Sequence, residues 1–287
     1  MKKLLFVSSL SVIFVACGQT SDTVINEDSV TYQTSENVIE FNPKGMTIET
    51  RYNVPAGFER VKADSGSFAY YLRKLPLKDS DELVTYYNGG KKSSSGVYKS
   101  VVDLPIGTKN LHQCADAVMR FRAEYLWSTG QHNQIHFNFT NGFRVDYSKW
   151  LQGNRMVVSG NSTSWRAGSA RANTYKTFWS YMELIFNYAG TLSLSKELDS
   201  RNISSVQIGD VLIQGGSPGH AVIVVDMAEN PSTGEKKMLL AQSYMPAQET
   251  QVLINPMERN TSWYTVKEGT ISTPEWTFYS SDLKTFD

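Results

Sequence analysis

A cysteine, a histidine and a glutamine stand in this sequence in an order and in contexts that suit thiol chemistry at an acyl carbon. Cys114 falls near the start of Leu111–Trp127 (LHQCADAVMRFRAEYLW), a segment rich in Ala, Met, Arg, Glu and Leu, which favour helix. The partial positive charge of a helix N-terminus lowers a thiol pKa, and the thiolate is the nucleophile. Such a thiol still needs a base, usually histidine, and a group that orients the base. His220 opens the apolar run HAVIVVDM directly after the Gly-Pro loop QGGSPG, so it stands at the mouth of a strand, well placed to face a cleft. The third residue follows from register. If Met227–Ala228 and Glu235–Lys237 flank the turn AENPSTGEKK, His220 lies opposite Tyr244, and Gln242 is its same-face diagonal neighbour. A slip of one residue would bring Ser243 there instead. Gln242 is the choice, with Tyr244 behind it. Asp226 shares the strand and face of His220, but six residues of strand span roughly 20 Å, so it cannot touch that ring.

The same residues have plainer readings. Cys114, Val118, Phe121 and Tyr125 recur at helical spacing as one apolar stripe, where a structural cysteine would be buried. A strand-end histidine is more often a satisfied core residue than a base. His132 and His136 have the i, i+4 spacing of zinc ligands on a helix, but the run is HNQIH, without the glutamate of H-E-x-x-H, and Ile135–Phe139 reads as strand. No metal or cofactor is expected. His112 and Cys114 are two apart and would diverge on a helix. Gly215–Gly219 lacks the Lys-Ser/Thr of a phosphate loop and precedes a strand, so it reads as a mobile turn or lid. Trp150, Trp165, Trp179, Trp263 and Trp276 could include sugar-stacking platforms, and core packing accounts for them equally well. Arg120 and Arg122 read as the solvated or salt-bridged face of the Cys114 helix.

The cysteine count sharpens the choice. The 287 residues contain two cysteines, Cys17 and Cys114. Lys2 and Lys3 precede an apolar run from Leu4 to Val15, too short for a bilayer span of about 20 residues and arranged like a secretion signal. Its end, Phe14-Val15-Ala16-Cys17, resembles the lipobox of bacterial lipoproteins. The resemblance implies a leader at 1–16, lipid on Cys17 and a chain anchored to an envelope membrane. Residues 17–45 are polar and read as a flexible tether, and 46–287 as a single domain. With Cys17 lipidated, Cys114 has no disulfide partner in an oxidising compartment, so it should be buried or useful. The 28 basic and 28 acidic residues balance, which offers nothing to nucleic acid. No second apolar span is long enough for a transmembrane helix, so the remainder should be soluble.

These residues need elements to hold them. Thr47–Tyr52, Phe68–Arg73, Val84–Tyr87 and Val97–Val102 are rich in β-branched or aromatic residues and read as strands. Asn110 is the expected N-cap of the Cys114 helix. Ile135–Phe139 reads as strand and Tyr175–Tyr188 as a second, well-buried helix stopped by Gly190. Asp210–Ile213, His220–Met227 and Met238–Tyr244 read as further strands, the last two a hairpin. The fold class is α+β with mostly antiparallel pairing.

Gln113-Cys114 at a helix start, then Gly209-Asp210-Val211 leading to Gly219-His220-Ala221-Val222-Ile223-Val224-Val225, resembles the core of CHAP and NlpC-type cell-wall hydrolases. The resemblance implies a papain-like core, with a Cys-bearing helix packed on an antiparallel sheet, elaborated by N-terminal strands and an inserted helix. It implies Cys114 as nucleophile, His220 as base and Gln242 as orienting residue, with Gln113 and the Cys114 N–H as oxyanion donors. The implied activity is a cysteine amidase or peptidase on peptidoglycan or peptides, with membrane and peptidoglycan as partners. The alternative is a non-catalytic lipoprotein that binds glycan or protein on the same scaffold. The interval between Cys114 and His220 is longer than that resemblance leads one to expect. LHQCADAVMRFRAEYLW, GDVLIQGGSPGHAVIVVDMA, LLAQSYMPAQ and TPEWTF also resemble an uncharacterised family of Bacteroidetes lipoproteins, a domain of unknown function, over most of residues 50–280.

Overall fold

The computed structural model describes residues 40–93 and 96–287; Cys17, the leader, the tether up to residue 39, and Ser94 and Ser95 lie outside the described residues. In chain order the helices are α1 (Ile48–Arg51), α2 (Phe68–Arg73), α3 (Cys114–Ser128), α4 (Tyr147–Leu151), α5 (Tyr175–Tyr188) and α6 (Thr191–Glu197). The strands are β1 (Glu59–Arg60), β2 (Tyr98–Val101), β3 (His136–Asn138), β4 (Arg144–Asp146), β5 (Asn154–Ser159), β6 (Ser162–Ala167), β7 (Asp199–Ser200), β8 (Val211–Gln214), β9 (His220–Glu229), β10 (Lys236–Gln242), β11 (Gln251–Leu253), β12 (Trp263–Thr265), β13 (Thr270–Ser272), β14 (Thr277–Tyr279) and β15 (Leu283–Thr285). The fold is α+β. Its main sheet runs β2-β11-β10-β9-β8-β15-β7, with β1 beside β9 and β12 beside β10. Its pairings are antiparallel. Three two-stranded hairpins, β3-β4, β5-β6 and β13-β14, stand apart from it.

The unbroken apolar run of β9 has a physical reason: the strand is covered on both faces. Ala221, Ile223 and Val225 join the core that α3 and α5 supply through Val118, Phe121, Phe178 and Ile185. Val222, Val224 and Met227 face a second core with Leu212, Leu240, Phe278 and Leu283. A strand alternates its side chains, so burial on both sides needs apolar residues at every position. Among the described residues no helix is long and apolar enough to cross a membrane.

Two expected strands are helices. Thr47 Oγ1 accepts the Thr50 N–H at 3.3 Å, and Ser67 Oγ accepts the Tyr70 N–H at 3.1 Å, so each segment starts on an N-cap that outweighs its aromatic and β-branched content. Val84–Tyr87 makes only isolated pairings, Thr85 with Lys91 and Tyr86 with Gln248. The N-terminal elaboration is therefore mixed rather than made of strands. The folded region also begins before residue 46, because Phe41 pairs with Tyr52 and their rings lie 5.7 Å apart. Asn110 does not cap α3. Its Oδ1 accepts the Ala247 N–H at 2.8 Å, and Gln113 is the N-cap.

Candidate active site

Cys114 is the first residue of α3, and the site forms where that helix meets the end of β9. Asp116, in the first turn, accepts the Gln113 N–H at 2.9 Å and so fixes the backbone entering the helix. That bond uses the Gln113 N–H, leaving the Gln113 side chain as its contribution to the cleft. Cys114 is 8 % exposed. Burial first, and the Asp116 carboxyl second, push its thiol up to about 11, against the backbone N–H groups of Ala115 and Ala221. The resting group is a protonated thiol, held beside the residue that follows His220.

His220 is 1 % exposed. Its Nε2 lies 2.7 Å from Gln242 Oε1. A bulge makes this contact possible. Next to the turn, Lys236 to Leu239 pair with Glu229 to Asp226, one residue out of the register read from the sequence; past Leu239 the pairs become Leu240 with Val224 and Ala241 with Ile223. The second register is the one that brings Gln242 diagonally to His220. Ser243 points elsewhere, donating to the His112 and Gln248 carbonyls at 3.0 and 2.7 Å. Around the ring stand Tyr244, Trp276 and Phe278, with centroids at 4.9, 5.4 and 5.9 Å. Burial lowers the imidazole to about 4, opposed by the Gln242 hydrogen bond and the Glu275 charge.

Glu275 and Lys92 were not singled out in the sequence. Gln242 Nε2 donates to Glu275 Oε2 at 2.6 Å, and Lys92 Nζ donates to both Glu275 oxygens at 2.9 and 2.8 Å. A carboxylate only accepts, so the nitrogen of the Gln242 amide must face it and the oxygen must face His220. His220 Nε2 is therefore the protonated nitrogen, and Nδ1 carries the free lone pair. The sequence signals for Glu275 and Lys92 are slight, because they meet through segments 183 positions apart.

A cleft of about 390 Å³ opens at Cys114, lined by Gln113, Cys114, Asp116, Phe186, Thr191, Gly216–Gly219 and Met245 among others. His220 and Gln242 are not among its lining residues, and among the described residues no hydrogen bond joins Cys114 to His220. The loop Gly215–Gly219 is tightly held rather than a free lid. Thr191 Oγ1 donates to the Gly216 carbonyl at 3.1 Å, and a Cβ at Gly219 would come 2.4 Å from that same Oγ1.

The other candidates disperse. His132 lies in a short 3₁₀ turn and His136 in β3, where its Nε2 is 3.8 Å from Glu197. Among the described residues no group of three or more His, Cys, Asp and Glu side chains converges as metal ligands would. His112 is buried, with Nδ1 3.1 Å from the Gln248 carbonyl. Asp226 is fully buried between Arg60 and Arg73 and serves the core. Arg120 is 1 % exposed rather than solvated, with its guanidinium 4.8 Å from the Trp179 ring and Nε 3.3 Å from Glu124. Arg122 donates to the Asp287 carbonyl at 3.0 Å. Trp263 is fully buried, and of the tryptophans Trp276 stands at the site.

What fold and site together define is an α+β domain with a helix-start cysteine beside the residue that follows a strand-mouth histidine, itself held by glutamine. The chain belongs to the family described as a domain of unknown function, DUF4846, which it matches over residues 48–285. No curated protein and no solved structure matches it.

Proposed function

We propose that this chain is an envelope lipoprotein, anchored through Cys17, whose domain is a thiol hydrolase with a papain-like core cutting an amide in peptidoglycan or a peptide. The observation that carries this reading is the His220–Gln242 hydrogen bond. It fixes the ring with Nδ1 unprotonated, in the residue next to the one whose N–H faces the Cys114 sulfur. In the reaction, the Cys114 thiol passes its proton to His220 Nδ1 as sulfur attacks the amide carbon. The oxyanion is met by the Cys114 N–H and the Gln113 side chain. His220 returns the proton to the leaving amine. Water then hydrolyses the thioester, giving the carboxylic acid and restoring the thiol. Digestion of purified peptidoglycan and of stem peptides, with Cys114→Ala as control, tests the activity. Release of new amino termini by the parent alone is expected, and equal release by both proteins rules the reading out. Incorporation of a palmitate analogue, abolished by Cys17→Ala, tests the anchor.

A second reading has its own support. Cys114 is nearly buried and protonated at rest, as suits a non-catalytic glycan- or protein-binding lipoprotein on the same scaffold. A Cys114 inert to thiol-directed electrophiles in the folded protein would favour it.

A further inference from the structure

The turn between β13 and β14 is closed by Thr273, whose N–H and hydroxyl both donate to the Trp276 carbonyl at 2.8 Å. It sets Glu275 and Trp276 over the end of β9. Trp276 Nε1 donates to Gln214 Oε1 at 2.9 Å, and Gln214 is the residue paired across the sheet with His220. The turn is thereby tied to the strand on one side of His220, while Glu275 reaches the glutamine on the other. Lys92, 6 % exposed, holds both Glu275 oxygens, and its own N–H is fixed to the Val84 carbonyl at 2.8 Å. Each link is directional. The ammonium only donates and the carboxylate only accepts. The amide does both, through different atoms, so the proton on the imidazole is assigned by what lies two groups away. An uncharged amide alone offers no such choice, since its oxygen and nitrogen ends are nearly the same shape.

We propose that Glu275, clamped by Lys92, is a positioning residue that orients the Gln242 amide and through it holds His220 as the Nε2–H tautomer, with Nδ1 free. This uses the thiol-hydrolase reading for its purpose, but the position of the proton is measurable without it.

The chain has four histidines, so the 15N spectrum of the full chain labelled on histidine resolves four rings, with His220→Gln supplying the assignment. In the parent, His220 is expected as Nε2–H alone at neutral pH. In Glu275→Gln, shown to be folded by an unchanged circular dichroism spectrum, the new amide can face Gln242 with either end. The Nε2–H form of His220 should then fall to roughly half. Lys92→Gln, which leaves Glu275 in place, should give a smaller loss and serves if the first variant does not fold. A His220 that stays wholly Nε2–H in whichever of these variants folds overturns the proposal. A parent whose Cys114 resists electrophiles, with the tautomer changes as expected, overturns the hydrolase reading and leaves the positioning role standing.

Discussion

Removing His220 should expose how little thiolate Cys114 holds by itself. The ordinary thiol value of 9.0 is pushed to about 11 in this site. At pH 7.5 that cuts the thiolate from about 3 % to about 0.03 %, a ceiling roughly 100-fold below an unperturbed cysteine. If His220 Nδ1 accepts the proton during attack, the parent escapes that ceiling, because its rate depends on neutral thiol and neutral imidazole together. Both are present from above about 4, where the buried ring protonates, up to about 11, where the thiol ionises. The parent's rate of labelling by a small neutral electrophile should then be nearly flat with pH between those limits. His220→Ala should lose about tenfold for each pH unit below 11, and at pH 7.5 fall at least tenfold below the parent. The assay is intact-protein mass spectrometry of iodoacetamide labelling across pH 5–9, with Cys114→Ala as blank. A parent profile that follows the single tenfold-per-unit slope of the variant would refute the base role of His220.

Removal of the Asp226 charge in Asp226→Asn leaves Arg60 and Arg73 facing an uncharged amide in the core, and should lower unfolding free energy by about 3–5 kcal/mol, read as a fall in the denaturant midpoint. His112 is held down to about 3 by burial and by Arg120, below its value in the unfolded chain near 6.5. Its folded pKa is depressed, so unfolding takes up a proton as the pH falls. The stability it carries is whole above about 6.5 and lost towards 3, at no more than about 1.4 kcal/mol per pH unit. Urea unfolding between pH 6.5 and 4 should therefore show a smaller loss for His112→Asn than for the parent. Gly219→Ala sets a Cβ 2.7 Å from both the Gln214 and Gly216 carbonyls, and should cost about 1–3 kcal/mol, seen as a lower Tm.

Elements whose signals are periodic or continuous were legible in the sequence. The fourteen residues of α5 match the expected helix from Tyr175 to Tyr188, and β9 follows its apolar run. Short elements were not. Over four residues in α1 and six in α2, composition is outweighed by one hydroxyl at the N-cap. The start of α3 moved by three residues because Asn110, a good cap by type, spends its side chain on Ala247, far along the chain.

The contact between Gln242 and His220 depends on a bulge between Leu239 and Leu240 that no count from the turn contains. Counting back from the turn sets His220 against Tyr244 only if the turn is placed one residue away from where it forms. The observed register at Lys236–Leu239 would carry Gln242 out of line, and the bulge that leaves Val225 unopposed brings it back. Bulges leave no sure mark in a single strand's sequence, so only the short-range part of the site was open to reading. The long-range part was closed for a different reason. Lys92 and Glu275 are ordinary surface residues by type, and their meaning comes from meeting each other over Gln242, at 8 % and 21 % side-chain exposure. A residue that acts by directing another's hydrogen bonds has no chemistry of its own to announce it. Cysteine, histidine and glutamine carry their candidate chemistry in type and local context, whereas Lys92 and Glu275 carry theirs in a chain of hydrogen bonds that runs from ammonium to carboxylate to amide across distant segments.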